Sequence, residues 1–177
     1  SKIPQFSMRI IPLSEGTFTI DKTKRFVPFY EGTDHLKDRS SGSLLVEIQP
    51  FVVITSKDIL LLDTGLGFQK NGILQLHQNL MDAGISLSDI TKVLVTHLHK
   101  DHAGGLGEER DGLGARLSMP NAIYYVQQDE LAFAFEKGFP SFITEELECL
   151  RNNEQVHLLE GDGLIDDYIE YRVTGAH

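Results

Sequence analysis

The stretch VLVTHLHKDHAGG, Val93 to Gly105, runs from apolar residues into three histidines and an aspartate within six positions: His97, His99, Asp101 and His102. TKVLVT, Thr91 to Thr96, is nearly continuous in β-branched and apolar residues and reads as a strand buried on both faces. It delivers the chain directly into His97. Neutral imidazole and carboxylate together form the ligand set of zinc and related divalent ions. Without a metal, so many polar groups at a strand end would lack evident partners. In a loop after a strand, His97 and His99 can point the same way and share one ion. Asp101 and His102 can then face a second. Two ions ~3.5–4 Å apart can hold a bridging hydroxide and polarise a carbonyl or phosphoryl oxygen. Gly104 and Gly105 are expected to let the backbone turn sharply where a Cβ would crowd it.

Upstream, the chain reads as β. SMRIIPL and GTFTI are short strands, followed by a polar and aromatic loop from Asp21 to Gly42. SLLVEI, FVVIT and DILLLDTG are three more strands, the last two joined by the tight turn TSKD. The period then changes. In NGILQLHQNLMDAG, Ile73, Leu76 and Leu80 recur at helical spacing, Leu74 and Met81 widen the stripe, and Gly84 is a stop. Downstream of the histidines come a Gly-rich loop, Leu106 to Pro120, the strand AIYYV and the helix QQDELAFAFEKG. The helix TEELECLRNN, with Thr144 as N-cap, and the strands QVHLLEG and IEYRVTG follow. Strands first, then helix and strand in alternation, predict an α/β (α+β) fold. Its sheet is mostly antiparallel, with helices on one face.

The 177 residues suit one domain, and no internal boundary is marked. A formal charge of −10 argues against a polyanion binder, so no nucleic-acid partner is expected. No apolar run approaches the ~20 residues of a membrane span, and no membrane partner is expected. Cys149 is the single cysteine, so no intrachain disulfide can form; a cytoplasmic location is the expectation.

His97-x-His99-x-Asp101-His102, preceded by Thr96 and followed by Ala103-Gly104-Gly105, resembles the signature of the metallo-β-lactamase superfamily. LLDTG, Leu61 to Gly65, is similar to that family's first motif, and VTGAH, ending at His177, to the start of its third. The resemblance implies an αβ/βα sandwich of two similar halves, of which residues 1–177 form a single incomplete domain, the first half. It implies that His97, His99 and His177 bind one ion, and that Asp101 and His102 contribute to a second. Asp63 would sit behind the site, orienting a ligand histidine or the nearby loop; a simple strand-end turn residue is the alternative. The cofactor expected is Zn²⁺, up to two ions in a complete site, with iron or manganese as alternatives. Two further ligands would lie beyond His177, and truncation of a longer enzyme is the favoured explanation. The exposed sheet face is then expected to pack against the missing C-terminal half or a second copy.

Within the family, His at position 102 and the placement of Cys149 make the β-lactamases with a cysteine ligand a poor match. Net acidity weakens the nucleases. The run IYYVQQDELAFAFE and then VHLLEGD looks most like the lactonase-like, quorum-quenching hydrolases. Cleavage of a small-molecule ester or lactone is therefore expected, with Asp101 ligating or handling a proton. Phe26, Phe29 and Tyr30 are candidates to line an acyl pocket, although such residues more often anchor a loop. The rival readings are a thioesterase, an iron-dependent sulfur dioxygenase of the same superfamily, and a non-catalytic metal-binding module that pairs with another chain.

Overall fold

A computed structural model describes residues 8–110 and 114–175, with side chains described except at 109–110 and 114–115. In chain order it contains β1 (Arg9–Pro12), β2 (Gly16–Ile20), β3 (Phe26–Pro28), β4 (Leu44–Ile48), β5 (Phe51–Ile54) and β6 (Ile59–Leu62). Next come β7 (Gln69–Lys70), β8 (Ile73–Leu74), α1 (Gln75–Asp82), β9 (Lys92–Leu94), α2 (Lys100–Ala103), β10 (Gly107–Arg110) and β11 (Gly114–Leu117). The last are β12 (Ile123–Gln127), α3 (Gln128–Lys137), α4 (Thr144–Leu147), β13 (Val156–Leu159), β14 (Gly163–Ile165) and β15 (Ile169–Tyr171).

Among the described residues, six strands form the central sheet in the order β1-β5-β6-β9-β12-β13. The expected antiparallel pairing holds for β1, β5 and β6 and for the small outlying sheets. From β6 onward the central sheet is instead parallel, β6 to β9, β9 to β12 and β12 to β13. The reason is the connection type. A tight turn can only reverse a strand, whereas the helix-bearing crossovers return the chain in the same direction. One consequence fixes the site: β6, β9 and β12 release their C-terminal ends on one side.

Register places Val52, Leu61, Val93 and Tyr124 in a single row across four strands. All four are fully buried. They meet Leu76 and Leu80 of α1, Leu131 and Ala134 of α3 and Leu147 of α4 in one core. Each such side chain contributes roughly 1.5–3 kcal/mol of burial. The helical stripe on α1 is narrower than its spacing suggested: Ile73 lies in β8, and both it and Met81 are exposed. Gly84 does end the helix, with a φ of 74° that favours glycine. Thr144 is the first residue of α4, not its cap; Ile143 holds that position without a side-chain hydrogen bond. The loops expected at 21–42 and 106–120 contain β3 and the β10–β11 hairpin.

The opposite sheet face carries a smaller cluster of Tyr125, Leu159 and Ile165, where the β14–β15 hairpin lies over β12 and β13. Ile10 and Ile123 stay exposed. At the base of β9, Lys92 is buried and its Nζ lies 2.6 Å from Asp58 and 2.7 Å from Asp166. Thr91 donates to Asp58 at 2.8 Å, and the Tyr168 hydroxyl also donates to it. Burial disfavours the Lys92 charge, but the two carboxylates outweigh it and hold the ammonium above its usual range. Removing one partner leaves a buried charge uncompensated, so Lys92→Ala should cost about 3–5 kcal/mol in denaturant unfolding. Lys92→Met combined with Asp58→Asn should recover most of that loss.

Candidate metal centre

β9 ends at Leu94, and Val95 continues the parallel pairing by donating to the Tyr125 carbonyl at 3.2 Å. Thr96 and His97 then leave the sheet beside Asp63, which follows β6 and is anchored by its amide donating to the Leu94 carbonyl at 2.9 Å. His99 opens α2, its carbonyl accepting from the amides of His102 at 2.9 Å and Ala103 at 3.1 Å. That single turn brings His102 back over His97. The ring centroids of His97 and His102 are 4.0 Å apart, and those of His97 and His99 4.8 Å. The structure therefore gathers His97, His99, Asp101 and His102. His177 lies outside the described residues.

Asp63 sits behind these rings. Its Oδ2 lies 2.9 Å from His102 Nδ1, and its Oδ1 accepts the Thr96 amide at 2.8 Å. The Thr96 hydroxyl bonds Asp63 and lies 3.0 Å from His97 Nδ1. Nδ1 is thus engaged on both imidazoles, which makes Nε2 the nitrogen that would carry a metal. On His102, Nε2 faces Asp101 Oδ2 at 3.3 Å. Burial disfavours the His102 cation, yet Asp101 and Asp63 on its two nitrogens push it up to about 9. Burial likewise raises Asp101, but the His102 hydrogen bond and charge outweigh it and leave the carboxyl below its usual range. Among the described residues no three donors already converge on one point. The donor chemistry and the engaged Nδ1 atoms nevertheless fit a divalent ion.

Three residues outside the motifs support the arrangement. Glu130, in the first turn of α3, accepts the Leu98 amide at 2.9 Å. Glu15, between β1 and β2, accepts the amides of Leu66 at 2.7 Å and Phe68 at 3.1 Å. Phe142 packs on His99 with centroids 4.9 Å apart. Neither Glu130 nor Glu15 carried a signal in the sequence, each being one acid among 26.

The glycines meet the expected crowding but not the expected sharp turn. Gly104 has φ −75°, so it makes no unusual turn. Its role is close approach: a Cβ there would collide with the Leu66 carbonyl, and one at Gly105 would lie 2.5 Å from the Thr64 carbonyl oxygen. The backbones of 64–67 and 102–105 are in direct contact, with Thr64 N donating to His102 O at 2.8 Å and Gly104 N to Gly65 O at 2.7 Å.

Two open clefts adjoin the centre. One of about 340 Å³ is lined by Asp63, Gly65, Asp101, His102, Phe26 and Ile48, among others. The other, about 640 Å³, shares Phe26 and adds Leu66, Lys100, Phe139, Ile143 and Arg25. Phe26 therefore lines both clefts. Phe29 lies instead under the Arg39 guanidinium, 5.4 Å from its ring centroid, and Tyr30 is exposed; neither lines these clefts.

Residues 46–169 match the model of the metallo-β-lactamase superfamily. The chain belongs to that superfamily. No match was found among curated proteins. Among solved structures it is similar to AidC, a dizinc quorum-quenching lactonase in complex with a product, with a TM-score of 0.65 and 21% identity over 94% of this chain and 63% of that one. A probable metal-dependent hydrolase from Staphylococcus aureus gives 0.62 and 21% over 89% and 60%. An N-acyl homoserine lactone hydrolase with N-hexanoyl-L-homoserine at its metal centre gives 0.60 and 20% over 94% and 64%. The chain thus spans somewhat under two thirds of these relatives. The family match and these likenesses agree on a metallo-β-lactamase fold.

Because Gly104 leaves no room for a methyl group, Gly104→Ala must push the two motifs apart. A stability loss of roughly 1–3 kcal/mol by thermal unfolding is expected, together with weaker metal uptake by calorimetric titration.

Proposed function

We propose that this superfamily member is a zinc-dependent hydrolase of small-molecule esters or lactones. The observation that carries the reading is the Asp63–His102–Asp101 array set against His97 and His99. His97 and His99, with His177, would hold one ion; Asp101 and His102 would hold part of a second. Such an ion, when bound, supplies Lewis acidity toward a carbonyl oxygen and makes hydroxide available near neutral pH.

The chain's own residues do the rest. Asp63 orients the ring of His102, and Thr96 that of His97, each through Nδ1, which leaves Nε2 of both rings as the nitrogen for an incoming cation. Asp101, half-buried between His102 and the smaller cleft, is placed to take a proton from the attacking water at Oδ2 and pass it to the leaving oxygen as the acyl carbon–oxygen bond breaks. Phe26 offers an apolar wall that runs from this cleft into the next, where Leu66, Phe139 and Ile143 can seat an acyl chain. The lactonases among the solved relatives act on substrates of this chemistry, an apolar acyl chain joined to a lactone.

The test is zinc content and ring opening of N-hexanoyl-homoserine lactone, followed by proton release at fixed pH. The zinc-loaded protein should open the ring. His97→Ala and His99→Ala should each lower zinc content sharply and the rate at least about 100-fold. Undiminished zinc in both variants would overturn the site. Iron content with oxygen uptake and no lactone opening would move the protein to the dioxygenase reading.

A further inference from the structure

We infer that Glu15 is a positioning residue: its carboxylate holds the loop that carries Asp63, and through Asp63 it sets the orientation of His102. This rests on reading the histidine cluster as a metal site. Glu15 lies in the short link between β1 and β2, is 4% exposed, and belongs to no motif of the sequence. The link itself is immobilised. Glu15 N donates to Ile48 O at 2.8 Å, and Asn79 of α1 donates to Ser14 O at 2.6 Å.

From that fixed base the side chain reaches the loop after β6. Leu66 N and Phe68 N both donate to it, one to each carboxylate oxygen. The loop needs such a clamp. Asp63, Gly65 and Gly67 have φ of 61°, 74° and 76°, three left-handed residues in five. A non-glycine residue there costs of order 1–3 kcal/mol and persists only where its surroundings impose it. Asp63 is the non-glycine one, and it makes the bonds to Thr96 and His102. Glu15 Oε1 also occupies the space that a Cβ on Gly65 would take. Residue 65 is therefore glycine both for its φ and because the carboxylate lies against its backbone.

The choice of an acid carries a cost that a purely structural residue would avoid. Burial pushes the Glu15 carboxyl up to about 7, although the amides of Leu66, Phe68 and Gly67 pull the other way. Among the described residues it makes no ion pair. Its partners are backbone amides, which only an acceptor on both oxygens can satisfy together. Glutamine keeps one acceptor and turns an N–H toward a donor. Alanine removes both.

The experiment compares the full chain with Glu15→Gln and Glu15→Ala, each checked by far-UV circular dichroism. Two readouts are taken: zinc affinity by competition with a chelator, and the His102 imidazole ¹⁵N signals of the metal-free protein. Glu15→Gln should keep the fold, weaken zinc about 10–100-fold and shift the His102 signals; Glu15→Ala should do more. Wild-type affinity and unshifted His102 signals in folded Glu15→Gln would overturn the role. If Glu15→Ala does not fold, Glu15→Gln decides. If the wild-type chain takes up no zinc, the metal reading fails by itself. The His102 signals then judge Glu15 alone: shifted they support it, unshifted they overturn it.

Discussion

Direct contact between two backbones governs the rest of this molecule. The loop after β6 and the turn of α2 touch through Gly65, Leu66, Gly67 and Gly104 with no side chain between them. Two amide–carbonyl bonds tie them, Thr64 to His102 and Gly104 to Gly65. A separation of one methyl group would move Asp63 off His102. The glycines therefore set the geometry of the site through backbone approach alone.

That contact exists because of the strand order. β6 and β9 are parallel neighbours, so their C-terminal ends emerge side by side and the two motifs start already adjacent. The row Val52, Leu61, Val93 and Tyr124 fixes the register of four strands at once. A slip by one residue would turn this whole row to the other face. It would also carry His97 away from Asp63. Packing thus sets the geometry of the site before any polar group contributes.

Much of this was legible in the chain. The cluster at 97–102 announced its chemistry by residue type and spacing, and the apolar run before it announced a buried strand. The DTG of Asp63 to Gly65 stood out as a match. Glu15 and Glu130 did not, because each acts across a large sequence separation on a backbone amide, and an amide leaves no mark in a sequence. The parallel half of the sheet was missed for a related reason: alternation of strand and helix shows connection, while pairing direction depends on which strands become neighbours. Lys92 was hidden inside an apolar strand, where its two carboxylate partners, at positions 58 and 166, come from distant segments.

Lys92 opens β9, and His97 lies three residues beyond the strand's other end. One end is locked by a buried charge network, and the other opens into loops whose side chains line the clefts. Such a split lets evolution work on the two ends separately. The segments around Arg25 and Phe139, which line the larger of the two clefts, can be exchanged without loosening the foundation that keeps the histidines in register. Freedom to reshape the clefts on one scaffold follows from that polarity of the strand.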